Sequence, residues 1–174
     1  MSFEGYAAGP HVSSGGSGSN FLCLPGDPQW ETYIDGDQTS GSISGVEYEL
    51  YNSGTHHNNV FDESNNGGSP LSQKPAPCAV CYVEDRSSAV MIPARTQCPD
   101  GWTMEYGGYI VAEYHATGRK RSSYICWDKA PEAYAGDGRS YDQSFVYPVE
   151  VQCGTLPCSL YPNGRELTCV VCSK

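Results

Sequence analysis

The sequence predicts a mainly β, loop-rich fold, stapled by disulfides and built from two pseudo-symmetric halves. Three observations predict it: nine cysteines in 174 residues, 20 glycines and 12 prolines scattered between short β-favouring runs, and an internal repeat. The length suits one domain, and a hydrophobic content of 39% with 11% aromatic residues is enough for one core.

The repeat orders the elements. An offset of 103 residues carries Gly5 onto Gly108, Tyr6 onto Tyr109, Gly15 onto Gly118 and Ser19 onto Ser122 without a gap. It also carries Phe21-Leu22-Cys23 onto Tyr124-Ile125-Cys126, Pro28 onto Pro131 and Val46-Glu47 onto Val149-Glu150. The pairs Cys78-Ala79-Val80-Cys81 and Cys169-Val170-Val171-Cys172 match once the first half is shortened by 12 residues. The chain is therefore read as one domain of two repeats, 1–103 and 104–174. The surplus lies in 52–77, which is rich in Asn, Gly, Ser, Pro and His, lacks a hydrophobic period and reads as a long polar surface loop.

Each half then holds an aromatic-aliphatic-Cys strand, an acidic turn, a Val-Glu strand and a CxxC strand. Val46, Tyr48 and Leu50 alternate with Glu47 and Glu49, the period of a strand with one inward and one outward face. The runs 79–83, 110–114, 124–127, 145–151 and 167–171 are rich in β-branched or aromatic residues and read as further strands. Helical periodicity is weak throughout.

The cysteine density points to an oxidising compartment and a secreted protein. Duplication implies equivalent bridges, Cys23 to one member of the first CxxC pair and Cys126 to one member of the second. A four-thiolate zinc site is the rival reading of the two pairs, but Ala-Val and Val-Val read as strand rather than as the tight turn of a ligand knuckle. An odd count leaves one thiol for a link between chains or for a partner beyond the N-terminus.

Composition narrows the function. A net charge of −10 and a pI near 4.6 disfavour nucleic acid, and the single basic run is Arg119-Lys120-Arg121. No stretch of about 18 apolar residues offers a membrane span, and Met1-Ser2-Phe3 lacks the regions of a signal peptide, so it reads as the start of a mature chain behind an added methionine. Nucleophile elbow, P-loop, H-E-x-x-H and dinucleotide-binding motifs are missing, and His56-His57 reads as a solvated pair, so the chain is expected not to be an enzyme.

The acidic turns carry the positive signal, because each follows the strand bearing Cys23 or Cys126. The first contains Asp35-Gly36-Asp37-Gln38; the second contains Asp128, Pro131-Glu132, Asp137-Gly138-Arg139 and Asp142-Gln143. Calcium takes six to eight hard oxygen ligands and tolerates irregular loops, so carboxylates, amides and glycine turns suit it. Asp128, Glu132, Asp137 and Asp142 are the expected ligands. A sugar diol completes such a site while an aromatic face packs on the sugar ring, a role that falls to Gln143, Trp127 and Tyr134. Gln38, with Asp35 and Asp37, marks the alternative location in the first half.

Phe21-Leu22-Cys23-Leu24-Pro25, Pro77-Cys78-Ala79-Val80-Cys81, Met91-Ile92-Pro93-Ala94-Arg95 and Gly164-Arg165-Glu166-Leu167-Thr168-Cys169-Val170-Val171-Cys172 together resemble the spongin-like C-terminal domains of short-chain collagens, which are distantly similar to the non-collagenous domain of type IV collagen. Within that family the chain is similar to calcium-dependent, galactose-binding lectins of sea anemones. The resemblance implies binding of galactose-containing glycans and a disulfide-linked homodimer that accounts for the odd cysteine. In the family's second turn Asp128 and Pro131-Glu132 match, whereas 137–143 departs from the usual small and amide residues. The rival expectation is an extracellular-matrix assembly module with solvated acidic turns.

Overall fold

The computed structural model describes residues 2–52, 55–56, 60–67, 69–136 and 139–174. His57, Asp137 and Gly138 lie outside the described residues, as do the side chains of 51–52 and 55–56. The fold is mainly β, loop-rich and crossed by four disulfides.

Eleven strands are described: β1 Phe3–Gly9, β2 Leu22–Pro25, β3 Ser44–Tyr48, β4 Tyr51–Asn52, β5 Thr55–His56, β6 Pro77–Val80, β7 Ala89–Pro93, β8 Thr103–Ala112, β9 Ile125–Asp128, β10 Ser144–Pro148 and β11 Thr168–Ser173. In the first half β1 takes β2 along one edge and β6, then β3, along the other. In the second half β8 takes β9, β11 and β10 in the same way. Gly5 faces Pro25 and Cys78 as Gly108 faces Asp128 and Cys169. The isolated bridge Glu47–Pro75 recurs as Glu150–Glu166. The two halves therefore repeat one another's register at the offsets read from the sequence, and they meet where β3 and β10 run parallel, Val46 opposite Ser144.

Packing explains why Gly5 and Gly108 recur. A Cβ at Gly108 would sit 1.8 Å from the Trp127 carbonyl oxygen, and one at Gly5 would sit 1.8 Å from that of Leu24. No side chain fits so close to a crossing backbone.

The disulfides follow the repeat. Cys23 bonds Cys78 and Cys126 bonds Cys169, so each half ties its aromatic-aliphatic-Cys strand to the first cysteine of its CxxC strand. Those bonds occupy the thiolates that a zinc site would need. The halves differ at the second CxxC cysteine: Cys172 bonds Cys98, whereas Cys81 is free and exposed. Cys153–Cys158 closes a short loop of the second half.

The core runs across both halves. Ala7, Val46, Tyr48 and Leu50 pack with Val111 and Val146, and Ile110, Cys126 and Cys169 form a second cluster. The segment 52–77 departs from its reading as a polar surface loop. It includes a short hairpin of β4 and β5, a 3₁₀ turn at Glu63–Asn66, and the buried side chains Phe61 and Leu71, which join the main core. Glu47 also departs from expectation, being only 5% exposed. Its carboxylate accepts the Tyr141 N–H at 3.0 Å and the Ser140 hydroxyl at 3.4 Å, which satisfies a buried charge.

Candidate functional site

Trp127 and Asp128 close strand β9, and the chain then turns sharply because Asp128 Oδ1 accepts the Ala130 N–H at 2.9 Å. Pro131 is buried and Glu132 turns its side chain outward. One buried hydroxyl fixes this turn from below: Tyr48 Oη donates to the Glu132 carbonyl at 2.6 Å and accepts from Trp127 Nε1 at 3.3 Å. The Tyr48 and Trp127 rings meet edge to face, 5.7 Å between centroids. Tyr134 is held by its hydroxyl, which donates to the Gly5 carbonyl at 3.2 Å, and by Tyr6, whose ring lies 4.9 Å away.

These residues line one groove of about 950 Å³ at the junction of the two halves. Trp127, Asp128, Glu132 and Tyr134 stand in its wall, joined by Glu4 from β1 and by the rings of Tyr106 and Tyr124. The carboxylates are felt nearby. Burial pushes the Tyr48 hydroxyl well above the usual tyrosine range; the Trp127 hydrogen bond opposes this, and Glu132 and Asp128 add to it. Tyr106 is raised by burial and then by Asp128.

The remaining residues singled out in the sequence lie elsewhere. Asp142 and Gln143 do not line the groove but belong to the segment 139–143 that covers Glu47. Asp142 Oδ1, 3.3 Å from the Ser140 hydroxyl, shares that hydroxyl's one proton with Glu47, and the Gln143 carbonyl accepts the Val12 N–H at 2.5 Å. Beside them the Glu49 carboxyl is raised by burial and then by the charges of Asp142 and Glu47. Gln38 is exposed and spends its amide on its own turn, donating to the carbonyls of Asp35 and Gly36, while Asp37 Oδ1 accepts the Thr39 N–H. The first-half turn is thus closed on itself.

Among the described residues no three Asp, Glu, His or Cys side chains are placed to hold an ion between them. Asp128 and Glu132 supply oxygen donors of the kind calcium prefers, with one Asp128 oxygen already taken by Ala130. The pair is right in chemistry and short in number. Ligand hydroxyls, carbonyls and water would have to fill the other positions.

Sequence reasoning missed Glu4, Tyr106 and Tyr124 as members of this groove. Tyr106 and Tyr124 occupy the repeat positions of Phe3 and Phe21, so the signal was two tyrosines replacing two phenylalanines at equivalent places. No family model matches the chain, and no solved structure matches it.

Proposed function

We propose that this chain is an extracellular carbohydrate-binding protein of the spongin-like kind, taking a galactose-type sugar in the groove at the junction of its halves. One observation carries the reading: Asp128 and Glu132 share that groove with the aromatic side chains of Trp127, Tyr134, Tyr106 and Tyr124. Carboxylates bind vicinal hydroxyls and aromatic faces pack on the apolar side of a sugar ring. Calcium held by Asp128 and Glu132 would supply coordination positions for two neighbouring hydroxyls. The protein's own part is to orient the pair, through the Asp128 turn and the Tyr48 hydroxyl bond to Glu132. Four disulfides accord with life outside the cell.

The test is calorimetric titration of galactose and of mannose into the protein, with calcium and then with excess chelator. Galactose heat that disappears on chelation and in Asp128→Asn supports the reading. Absence of heat for both sugars with calcium present and disulfides intact refutes it.

Cys81 favours a second reading, that of an assembly module. Strand β11 is covered on its outer edge by β7, and its Cys172 is bridged to Cys98, whereas the equivalent Cys81 beside β6 is an exposed thiol. A bond from Cys81 to a second chain makes either a bivalent lectin, whose second binding event is intramolecular, or a matrix link. Non-reducing gels of wild type and Cys81→Ser distinguish the link from its absence. The sugar titration then separates lectin from matrix module.

A further inference from the structure

We propose that the second half carries a separate anion-binding cavity, adjoining the groove, that takes the sulfate group of a sulfated glycan; the identity of that ligand as a glycan rests on the carbohydrate reading above. The cavity, about 980 Å³, lies under the loop between β8 and β9 and against the strand end at Tyr147 and Pro148. Three of the chain's ten Lys and Arg residues line it consecutively, Arg119, Lys120 and Arg121, with His115 beside them. The carboxylates Glu113 and Glu150 also line it, so in a chain of net charge −10 three cations against two carboxylates leave this lining net positive, with Arg119 committed to Glu113.

The duplication provides an internal reference. At the gapless offset that matches Gly15 with Gly118 and Ser19 with Ser122, the three cations fall on Gly16-Ser17-Gly18. The first half makes the same hairpin without a charge in these places, so the hairpin does not require Lys120 or Arg121, whereas Arg119 also serves the buried Glu113, whose counterpart is Pro10. Their chemistry belongs to the second half alone.

The cavity is built rather than merely charged. Arg119 is positioned by the buried carboxylate of Glu113 at 3.7 Å and by the Phe145 ring, 5.6 Å from its guanidinium carbon. Glu113 is itself held, accepting the Tyr114 N–H at 2.9 Å, while its own N–H donates to the Ser122 hydroxyl at 2.8 Å. Lys120 reaches the carbonyls of Gly15 and Ser17 only at 3.4 and 3.5 Å, so its ammonium is loosely engaged. Arg121 is exposed, and its planar fork of donors suits the oxygens of a sulfate ester.

Tyr124 makes the ligand a glycan rather than a free ion. This ring, 67% exposed, lines both this cavity and the groove with Trp127 and Asp128. A saccharide lying across Tyr124 reaches carboxylates on one side and cations on the other. A neutral galactose-type residue matches the first, and a sulfate on the next residue matches the second.

The experiment titrates a sulfated galactan tetrasaccharide and its desulfated counterpart into the protein, with a single-stranded DNA oligonucleotide as a polyanion control. Two exposed, salt-screened ionic contacts predict about a tenfold preference for the sulfated form, lost as salt rises. Replacing the cations by the first half's residues, Lys120→Ser with Arg121→Gly, should remove that preference and leave the desulfated affinity unchanged. Arg121→Gln at its exposed position serves if the double variant fails to fold. Equal affinity for both saccharides, an unchanged preference in the variants, or DNA bound as tightly as the sulfated form would overturn the proposal. Loss of desulfated binding in wild type would sink the carbohydrate reading of the groove instead.

Discussion

Replacing Tyr48 by phenylalanine tests whether the groove is organised from the core. The ring is buried and would remain so, so the change removes a hydroxyl and almost no apolar surface. Two hydrogen bonds go with it, the 2.6 Å bond to the Glu132 carbonyl and the 3.3 Å bond from Trp127 Nε1. Each is worth about 1 kcal/mol net, and Trp127 keeps a half-buried donor without its partner, so the expected loss is about 2 kcal/mol. With a urea slope of about 2 kcal/mol/M this moves the unfolding midpoint down by about 1 M. Near-UV circular dichroism should report a freed Trp127, and galactoside affinity should fall because Glu132 and Trp127 both lose their anchor. Tyr106→Phe is the control: its hydroxyl makes one bond, to the Cys126 carbonyl at 3.0 Å, and should cost about half as much. The linkage has a definite sign. The folded state raises the Tyr48 hydroxyl above its usual value of about 10, so the neutral form is favoured on folding, and that contribution is complete below pH 10 and lost as pH climbs beyond it. A midpoint for Tyr48→Phe equal to wild type, with an unchanged near-UV spectrum, would refute the claim that this hydroxyl organises the turn.

Three further outcomes follow from the geometry. Gly108→Ala forces a Cβ to within 1.8 Å of the Trp127 carbonyl and should cost more than about 4 kcal/mol or prevent folding, whereas Gly45→Ala, with open space around it, should stay within about 0.5 kcal/mol in the same denaturation assay. Removing Cys126–Cys169, which spans 43 residues, should cost about 4 kcal/mol by loop entropy, against about 2 kcal/mol for Cys153–Cys158, which spans five; melting temperatures of the paired serine variants would rank them. Glu49 has its carboxyl raised in the folded state by burial and then by Asp142 and Glu47, so folding binds protons and stability falls as pH rises from 4.5 through the raised value. Glu49→Gln should therefore gain about 0.5 kcal/mol at neutral pH and nothing well below 4.5, and equal gains at both would contradict this origin.

What could be read from the sequence follows from how local each signal was. The repeat offset carried the strand registers and the two equivalent disulfides, because duplication copies contacts between distant segments as faithfully as it copies residues. Strand β7 escaped notice: Ala89-Val90-Met91-Ile92-Pro93 has no alternation, and no counterpart in the second half pointed to it. Phe61 and Leu71 were hidden in a polar stretch, since an anchor needs only one apolar residue and no period. In the groove, Trp127, Asp128, Glu132 and Tyr134 were legible together because a single turn carries them. Glu4 and Tyr106 arrive from other strands, and only the register brings them there. Asp142 was grouped with the turn by proximity in sequence, but its segment folds back over the buried Glu47.

The parallel seam between β3 and β10 has a consequence for how many repeats such a chain can join. Residues 46–48 of one half meet 144–146 of the other, and at the repeat offset these are different parts of the unit: 144–146 corresponds to 41–43, and 46–48 to 149–151. A contact of this head-to-tail kind is open-ended, and in principle a further unit could be added at either side, as in a filament. The residues at the vacant position argue against continuation. Phe145 and Val146 are buried in the seam, while their counterparts are an exposed Ser42 and an Ile43 that is 46% exposed, behind the small Gly41. The first half thus leaves exposed, and with less apolar bulk, the positions that the second half buries to grip its neighbour.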